Sequence, residues 1–375
     1  MNLLDPWVQL ARDLNRVASE TIADATGASA AAVQVQLMPT PRDVIAREGT
    51  ARLYRFVGAS RASASAPART SSPSGDAGAR PLPVLLVPSL INRWYVLDLR
   101  PGASLVEALV GAGHDVFCLD WGVPEDEDRH RDWEDVLGRL RRMVRRTMRA
   151  AGVERIGLLG YCMGGTLAAI YSALHPDEIA ALVNLAGPID FGKGGMLRRM
   201  VDRAWFDADV IADAGNVSPE QMQAGFVALR PTLELGKWAS MPDLAGDRAA
   251  QVSFRALDIW SSDNVPFPAA AYRTYIGELY QDNRLVAGTH RALGRAVDLG
   301  AIRSPVMAIV ADRDQICPPD AATALCERAG TTDTTVLRVP GGHVGAVVGS
   351  RAARELYPAV ARWFHERLRA RAPRS

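Results

Sequence analysis

Hydrophobic positions along the chain change period in a regular way. From residue 82 onward, short runs that are apolar throughout alternate with longer stretches in which apolar residues recur every three or four positions. The runs are "LPVLLVP", "DVFCLDWG", "RIGLLG", "IAALVNLAG", "SPVMAIVAD" and "TTVLRVP". Between and after them lie "SLVEALVGAG", "WEDVLGRLRRMVRRTMRAAG" and "RELYPAVARWFHERL"; in the second, Trp133, Leu137, Leu140 and Val144 form one stripe. Continuous apolar runs predict strands buried on both faces. Their alternation with helices predicts an α/β fold with a mostly parallel sheet covered on both sides. Upstream, "DVIAREGTARLYRFVG" alternates as an edge-strand pair should.

Three stretches depart from this rhythm. Residues 1–38 hold an N-terminal helical segment, with Trp7, Leu10, Leu14 and Val17 at helical spacing, read as a helix packed on its own domain and alternatively as a docking face. Residues 59–81, rich in Ser, Ala, Pro and Gly, have almost nothing to bury and predict a flexible surface loop rather than a boundary. Residues 188–304 have a different, largely helical texture and interrupt the sheet pattern as an insertion. The core is therefore assigned to 39–187 and 305–375, with 188–304 as a cap subdomain.

Composition narrows the classes. The chain has 375 residues, 48% of them hydrophobic, and a formal net charge of +1. Such a balance gives no global field toward nucleic acid or an anionic membrane. No apolar run reaches the length of a membrane span, and the N-terminus lacks the pattern of a secretory signal. The four cysteines, Cys118, Cys162, Cys317 and Cys326, form no CxxC pair, so no metal site or redox motif is expected and the thiols are read as reduced, in the cytoplasm. The six arginines between 139 and 149 fall mostly off the apolar stripe and read as a solvated helix face.

The chemistry-bearing signal is "LLGYCMGGTLAAIY". Gly160-x-Cys162-x-Gly164 is the nucleophile-elbow pattern of an α/β-hydrolase fold with cysteine in place of serine. The nucleophile sits on a strained strand-to-helix turn, and side chains two positions to either side would strike neighbouring backbone. The sulfur then lies at a helix N-terminus, where the dipole favours thiolate. The fold's chain order puts the acid next and the histidine last. "VADRDQICPP" offers Asp314 at a strand's C-terminal edge, preferred over Asp312, and "VPGGHVGAV" places His343 in a Gly-rich loop after a strand. His114, His130, His175, His290 and His365 occupy turns or helix faces and are expected at the surface. In the oxyanion hole, one N–H comes from Met163 and the second from the loop "SLINRW", where Ile91 is favoured.

Together, "GYCMGG", "PSLINRWYVLDLRPGASLVEALVGAGHDVFCLDWGVP", the Asp314 loop, "GGHVG", "PTPRDVIAREGTARLYRF", "WSSDNVPFP" and "YQDNRL" resemble the polyhydroxyalkanoate synthases, in particular the catalytic subunit of the two-component (class III) type. The resemblance spans roughly residues 39–365. It implies an acyltransferase that polymerises (R)-3-hydroxyacyl-CoA into a polyester and releases CoA, with acyl groups carried on Cys162. It further implies cytoplasmic polymer granules with the enzyme at their surface, a homodimer, and an accessory synthase subunit. CoA enters as part of the substrate and no separate cofactor is implied. The family usually has Asp-His where this chain has Asp314-Gln315, which removes a histidine near the site's mouth.

A cysteine acyl-enzyme is itself a thioester, so loading from CoA is nearly isoenergetic and the activation survives until a 3-hydroxyl attacks. That suits transfer better than hydrolysis. A Cys-dependent hydrolase, thioesterase or polyester depolymerase on the same fold is the alternative, and a silent granule-associated scaffold is a third. No Gly-rich phosphate cradle is present, so the sequence assigns no substrate-binding residue. Trp121, Trp260, Tyr272, Tyr275 and Tyr280 read as core and cap packing, and Asp258 and Asp263 as helix caps or surface groups.

Overall fold

A computed structural model describes residues 34–57, 82–229 and 247–368. The amphipathic stretch at 5–25 and the Ser/Ala-rich stretch at 59–81 lie outside the described residues. Eight strands form the main sheet: β1 (Arg42–Glu48), β2 (Ala51–Phe56), β3 (Val84–Val87), β4 (Val116–Asp120), β5 (Ile156–Tyr161), β6 (Ile179–Leu185), β7 (Val306–Ala311) and β8 (Thr334–Val339). Their order is β1-β2-β4-β3-β5-β6-β7-β8. β1 and β2 form an antiparallel hairpin at one edge and β2 meets β4 antiparallel, while every pair from β4 to β8 is parallel.

The continuous apolar runs end up where two-sided burial requires. Every residue of β3, β4, β5 and β6 is buried. Successive side chains serve opposite faces. Leu85, Val87 and Leu158 join a core built with helices α2 (Trp133–Ala151) and α3 (Met163–Leu174). Val84, Leu86 and Leu159 join a second core with α1 (Leu105–Gly111) and a C-terminal helix over Tyr357–Arg367. α1 and α2 begin where the sequence supplies an acceptor: the Ser104 side chain accepts from Glu107 N–H at 2.8 Å. Asp132 and Asp135 close a reciprocal capping box on α2, which ends at Gly152 with φ 71°, a conformation glycine adopts without a steric penalty.

Between β6 and β7 the described residues are mainly helical: Gly195–Met200, Ala208–Asp213, Pro219–Leu229, Arg248–Ser262, and Ala269–Arg273 running on into a π-helix over Thr274–Gln281. One edge of this segment is stitched to the loop after β3. Asn92 Nδ2 donates to Asn264 Oδ1 at 2.6 Å, Tyr95 Oη donates to Asp263 Oδ2 at 2.8 Å, and Trp260 Nε1 donates to the Arg93 carbonyl at 2.9 Å. Val265 N–H adds a bond of 3.2 Å to the Ile91 carbonyl. Asp263 is thus an interaction partner rather than a plain surface group.

Two expectations need correction. His114 and His290 are buried, not superficial. His114 Nε2 lies 3.0 Å from the Ala361 carbonyl, and His290 Nδ1 lies 3.1 Å from Glu278 Oε2. Burial pushes both imidazoles below their ordinary range, so both stay neutral near pH 7. The arginines of α2 are likewise more than a solvated face. Arg139, Arg142 and Arg146 converge on Glu48 at the end of β1, at 3.3, 2.7 and 3.7 Å. Arg142 grips both carboxylate oxygens through Nε and a terminal nitrogen. That bond, opposed in part by burial, holds the Glu48 carboxyl below its usual range.

The Glu48 cluster ties the edge hairpin to α2, and its partners are half in solvent, so charge-assisted bonds there are worth less than buried ones. Glu48→Ala is expected to lower unfolding free energy by about 1–2 kcal/mol in urea titrations. A change indistinguishable from zero would show that the hairpin is held by apolar packing alone.

Candidate active site

Cys162, Asp314 and His343 come from loops that leave the C-terminal ends of β5, β7 and β8, the edge at which open parallel sheets carry their sites. Cys162 stands directly between β5 and α3 with φ 56° and ψ −129°, left-handed backbone that a non-glycine residue adopts only under constraint. Its N–H donates to the Leu185 carbonyl at 2.9 Å and its carbonyl accepts from Gly165 N–H at 2.8 Å, which fixes the peptide planes on both sides. The turn is crowded enough that a methyl group on Gly160 would overlap the Gly164 backbone, and one on Gly164 would overlap the Val87 and Pro88 carbonyls. These are the two glycines of the motif.

A support that the sequence reading passed over sits behind the turn. Asn184, fully buried in β6, donates from Nδ2 to the Gly187 carbonyl at 2.8 Å and accepts from Gly187 N–H at 3.1 Å. Its Oδ1 fills the space where a side chain on Gly165 or Gly187 would go. A lone polar residue in the apolar run "IAALVNL" was the available signal.

Asp314 accepts from His343 Nδ1 at 2.7 Å through Oδ2, and both groups are buried. Its other oxygen accepts from the N–H groups of Ile316 and Cys317, each at 2.9 Å. Asp312 turns outward and pairs with Arg338 at 3.0 Å. The ring of Tyr161 stacks on the imidazole, with centroids 5.4 Å apart and planes 28° from parallel. Gln315 is exposed beside this array.

Electrostatics hold a proton on His343. Burial alone would lower its pKa, but negative charge on Cys162 and on Asp314, with the hydrogen bond to Asp314, raises it to about 10. With Nδ1 committed to Asp314, Nε2 is the nitrogen left for Cys162, and it is buried with no hydrogen-bond partner among the described residues. The half-buried Cys162 thiol lies close enough for its charge to act on this imidazole.

Met163 is the first residue of α3, so its N–H has no acceptor inside the helix and faces the turn. Ile91 lies beyond Pro88 in the loop packed against Gly164, its carbonyl engaged by Val265. Among the described residues, no group of three or more His, Cys, Asp or Glu side chains could hold a metal ion, and no helix is long and apolar enough to cross a membrane.

Comparison with known proteins places these features. Residues 83–350 match the alpha/beta hydrolase fold family, and residues 1–109 match the N-terminal family of poly-beta-hydroxybutyrate polymerase (PhaC). Solved structures show the same fold at low identity. A monoglyceride lipase from Saccharomyces cerevisiae is 15% identical, with 89% of this chain and 98% of that one covered and a TM-score of 0.52. A monoacylglycerol lipase from Paleococcus ferrophilus is 18% identical, with 76% and 96% covered and a TM-score of 0.50. Sequence relatives are nearer. The poly(3-hydroxyalkanoate) polymerase subunit PhaC of Allochromatium vinosum is 33% identical over 88% of this chain and 89% of its own length. The subunit of the same name from Synechocystis sp. is 33% identical over 89% and 86%, and that from Haloferax mediterranei 31% over 96% and 72%. Likeness of this extent, at both ends of the chain, makes it a member of the poly(3-hydroxyalkanoate) polymerase PhaC family, built on the alpha/beta hydrolase fold.

Proposed function

We propose that this chain polymerises (R)-3-hydroxyacyl-CoA into polyester with release of CoA, and that Cys162 carries the acyl chain, with His343 and Asp314 as its proton-handling partners. The observation that carries the reading is the buried His343–Asp314 pair beside the Cys162 turn at the sheet edge, in a member of the polymerase family.

The charges around His343 give the cycle a direction. In the resting site, the Asp314 carboxylate and charge at the Cys162 sulfur both favour a protonated imidazole. Cys162 attacks the acyl-CoA carbonyl, the C–S bond to CoA breaks, and His343 Nε2 delivers its proton to the departing CoA sulfur. Acylation leaves sulfur at Cys162 uncharged, which removes one of the two charges that favoured the proton, while burial still favours the neutral ring. The imidazole is thereby released to act as base at the moment a 3-hydroxyl arrives. That hydroxyl gives its proton to Nε2, forms the ester bond and restores the thiolate. Asp314 keeps Nδ1–H oriented throughout. In this reading Met163 N–H and Ile91 N–H stabilise the carbonyl oxygen as it becomes an oxyanion.

Water competes with the hydroxyl for the same thioester. The segment 188–304 is read as a cap, and the bonds from Asn92, Arg93 and Tyr95 to residues 260–264 hold its edge over the loop after β3. This supports a site that favours transfer over hydrolysis. Placement at a granule surface in the cytoplasm, dimerisation, and a second synthase subunit of the two-component type belong to the same proposal.

Incubation with 3-hydroxybutyryl-CoA is expected to release CoA and yield polymer, and Cys162→Ala is expected to abolish both, by a factor of at least about 10⁴. Free hydroxy acid in place of polymer would support a hydrolase instead, and retained activity in the variant would remove Cys162 from its role. The His343 imidazole, followed by NMR, is expected to titrate near 10 in the wild type and markedly lower in Cys162→Ala, which mimics the uncharged sulfur of the acyl-enzyme. Because this folded-state pKa lies above the ordinary value of about 6.5, the stability it contributes is complete below about pH 6.5 and is lost as pH rises through about 10. An ordinary midpoint in both proteins would contradict the ion pair.

A further inference from the structure

The π-helix over Thr274–Gln281 is eight residues long, and such helices are rare and concentrated at functional sites. Its consequence here is specific. In an α-helix, residues five apart point about 140° away from each other. The wider i→i+5 turn brings Tyr275 and Tyr280 together, with ring centroids 5.4 Å apart and planes at 75°. Both rings are buried.

The surroundings of this pair are otherwise apolar. Trp133, Phe191 and Phe267 pack on Tyr275 at 5.6, 5.7 and 5.9 Å, and Phe191 packs on Tyr280 at 4.7 Å. The π-helix is also pinned to the nucleophile turn. Asn283, just past its end at φ 50°, accepts from Phe191 N–H and donates to Asp190 Oδ1, each at 2.9 Å. The loop so held begins at Gly187, where any side chain would strike the Cys162 carbonyl. Burial first, with smaller contributions that include negative charge at Cys162, keeps both phenols protonated and able to donate.

Two phenol donors inside an aromatic shell call for a ligand with an acceptor at one place and hydrocarbon around it. The thioester carbonyl already has the helix N-terminus at Met163. The next polar atom of a 3-hydroxyacyl group is the oxygen on C3, and it remains an acceptor whether it is a free hydroxyl or esterified to the growing chain. We propose that the Tyr275–Tyr280 hydroxyl pair hydrogen-bonds the C3 oxygen of the acyl group on Cys162 and thereby selects 3-oxygenated acyl thioesters over plain ones. The proposal rests on the polymerase reading and deepens it. A site built around a substrate hydroxyl discriminates strongly against the analogue lacking it, because buried donors are then left unmatched.

The test compares covalent acylation of the full chain by (R)-3-hydroxybutyryl-CoA and by butyryl-CoA, timed by intact-protein mass. Wild type is expected to favour the hydroxylated thioester by at least about tenfold. Tyr280→Phe and the double variant Tyr275→Phe/Tyr280→Phe, which keep both rings, are expected to slow acylation by the hydroxylated thioester about tenfold or more and to leave the butyryl rate within about twofold. The butyryl rate doubles as the control for folding and for an intact nucleophile. An unchanged ratio, or a parallel fall of both rates, overturns this inference alone. Failure of the wild-type chain to be acylated by either thioester overturns it together with the polymerase reading.

Discussion

The backbone of Cys162 is the constraint on which the site depends. Its φ of 56° places a side chain where an L-residue costs of order 1–3 kcal/mol, and it persists because its neighbours leave no other arrangement. Val87 and Pro88 press on Gly164 from β3, Gly160 fits against Gly164 and Gly165, and Asn184 braces Gly165 and Gly187 from β6. Three adjacent parallel strands thus define one turn. The strain has a use: it sets the sulfur at the start of α3, on the sheet edge from which the His343 loop also leaves.

From that placement the electrostatics follow. His343 is buried, which by itself would strip its proton, yet it faces two negative groups and is kept protonated. One of those charges, Asp314, is permanent and is satisfied by two backbone N–H groups. In the proposed cycle the other, on sulfur, is removed when Cys162 is acylated, so a single covalent event converts His343 from acid to base.

Much of this was legible in the sequence, for physical reasons. Strands buried on both faces must be apolar throughout, so β3 to β7 could be read directly, and the antiparallel pair β1–β2 showed its exposed side by alternation. Gly160 and Gly164 were legible because only glycine fits there, and Asp314 and His343 because chain order and strand ends limit the choices. What escaped depends on distant partners. His114 is buried by Ala361, 247 positions away, and Glu48 gathers arginines more than 90 positions on. Nothing local in "TYIGELYQ" announces a π-helix, since the extra residue per turn is selected by what the tyrosines and Asn283 touch. Asn184 did have a local signal, one amide in an apolar strand, whose meaning appeared only with the turn it braces.

The chain holds four cysteines, and Cys317 is buried beside the same carboxylate that orients His343. The most direct test is therefore to locate the acyl group. The full-length protein would be quenched in acid within the first turnovers on labelled 3-hydroxybutyryl-CoA, digested, and its peptides mapped by mass. Label confined to the peptide containing Cys162, and released by neutral hydroxylamine as a thioester is, would meet the account's expectation. Label on Cys317 or on any other residue, or polymer formed while Cys162 stays unmodified, would contradict it.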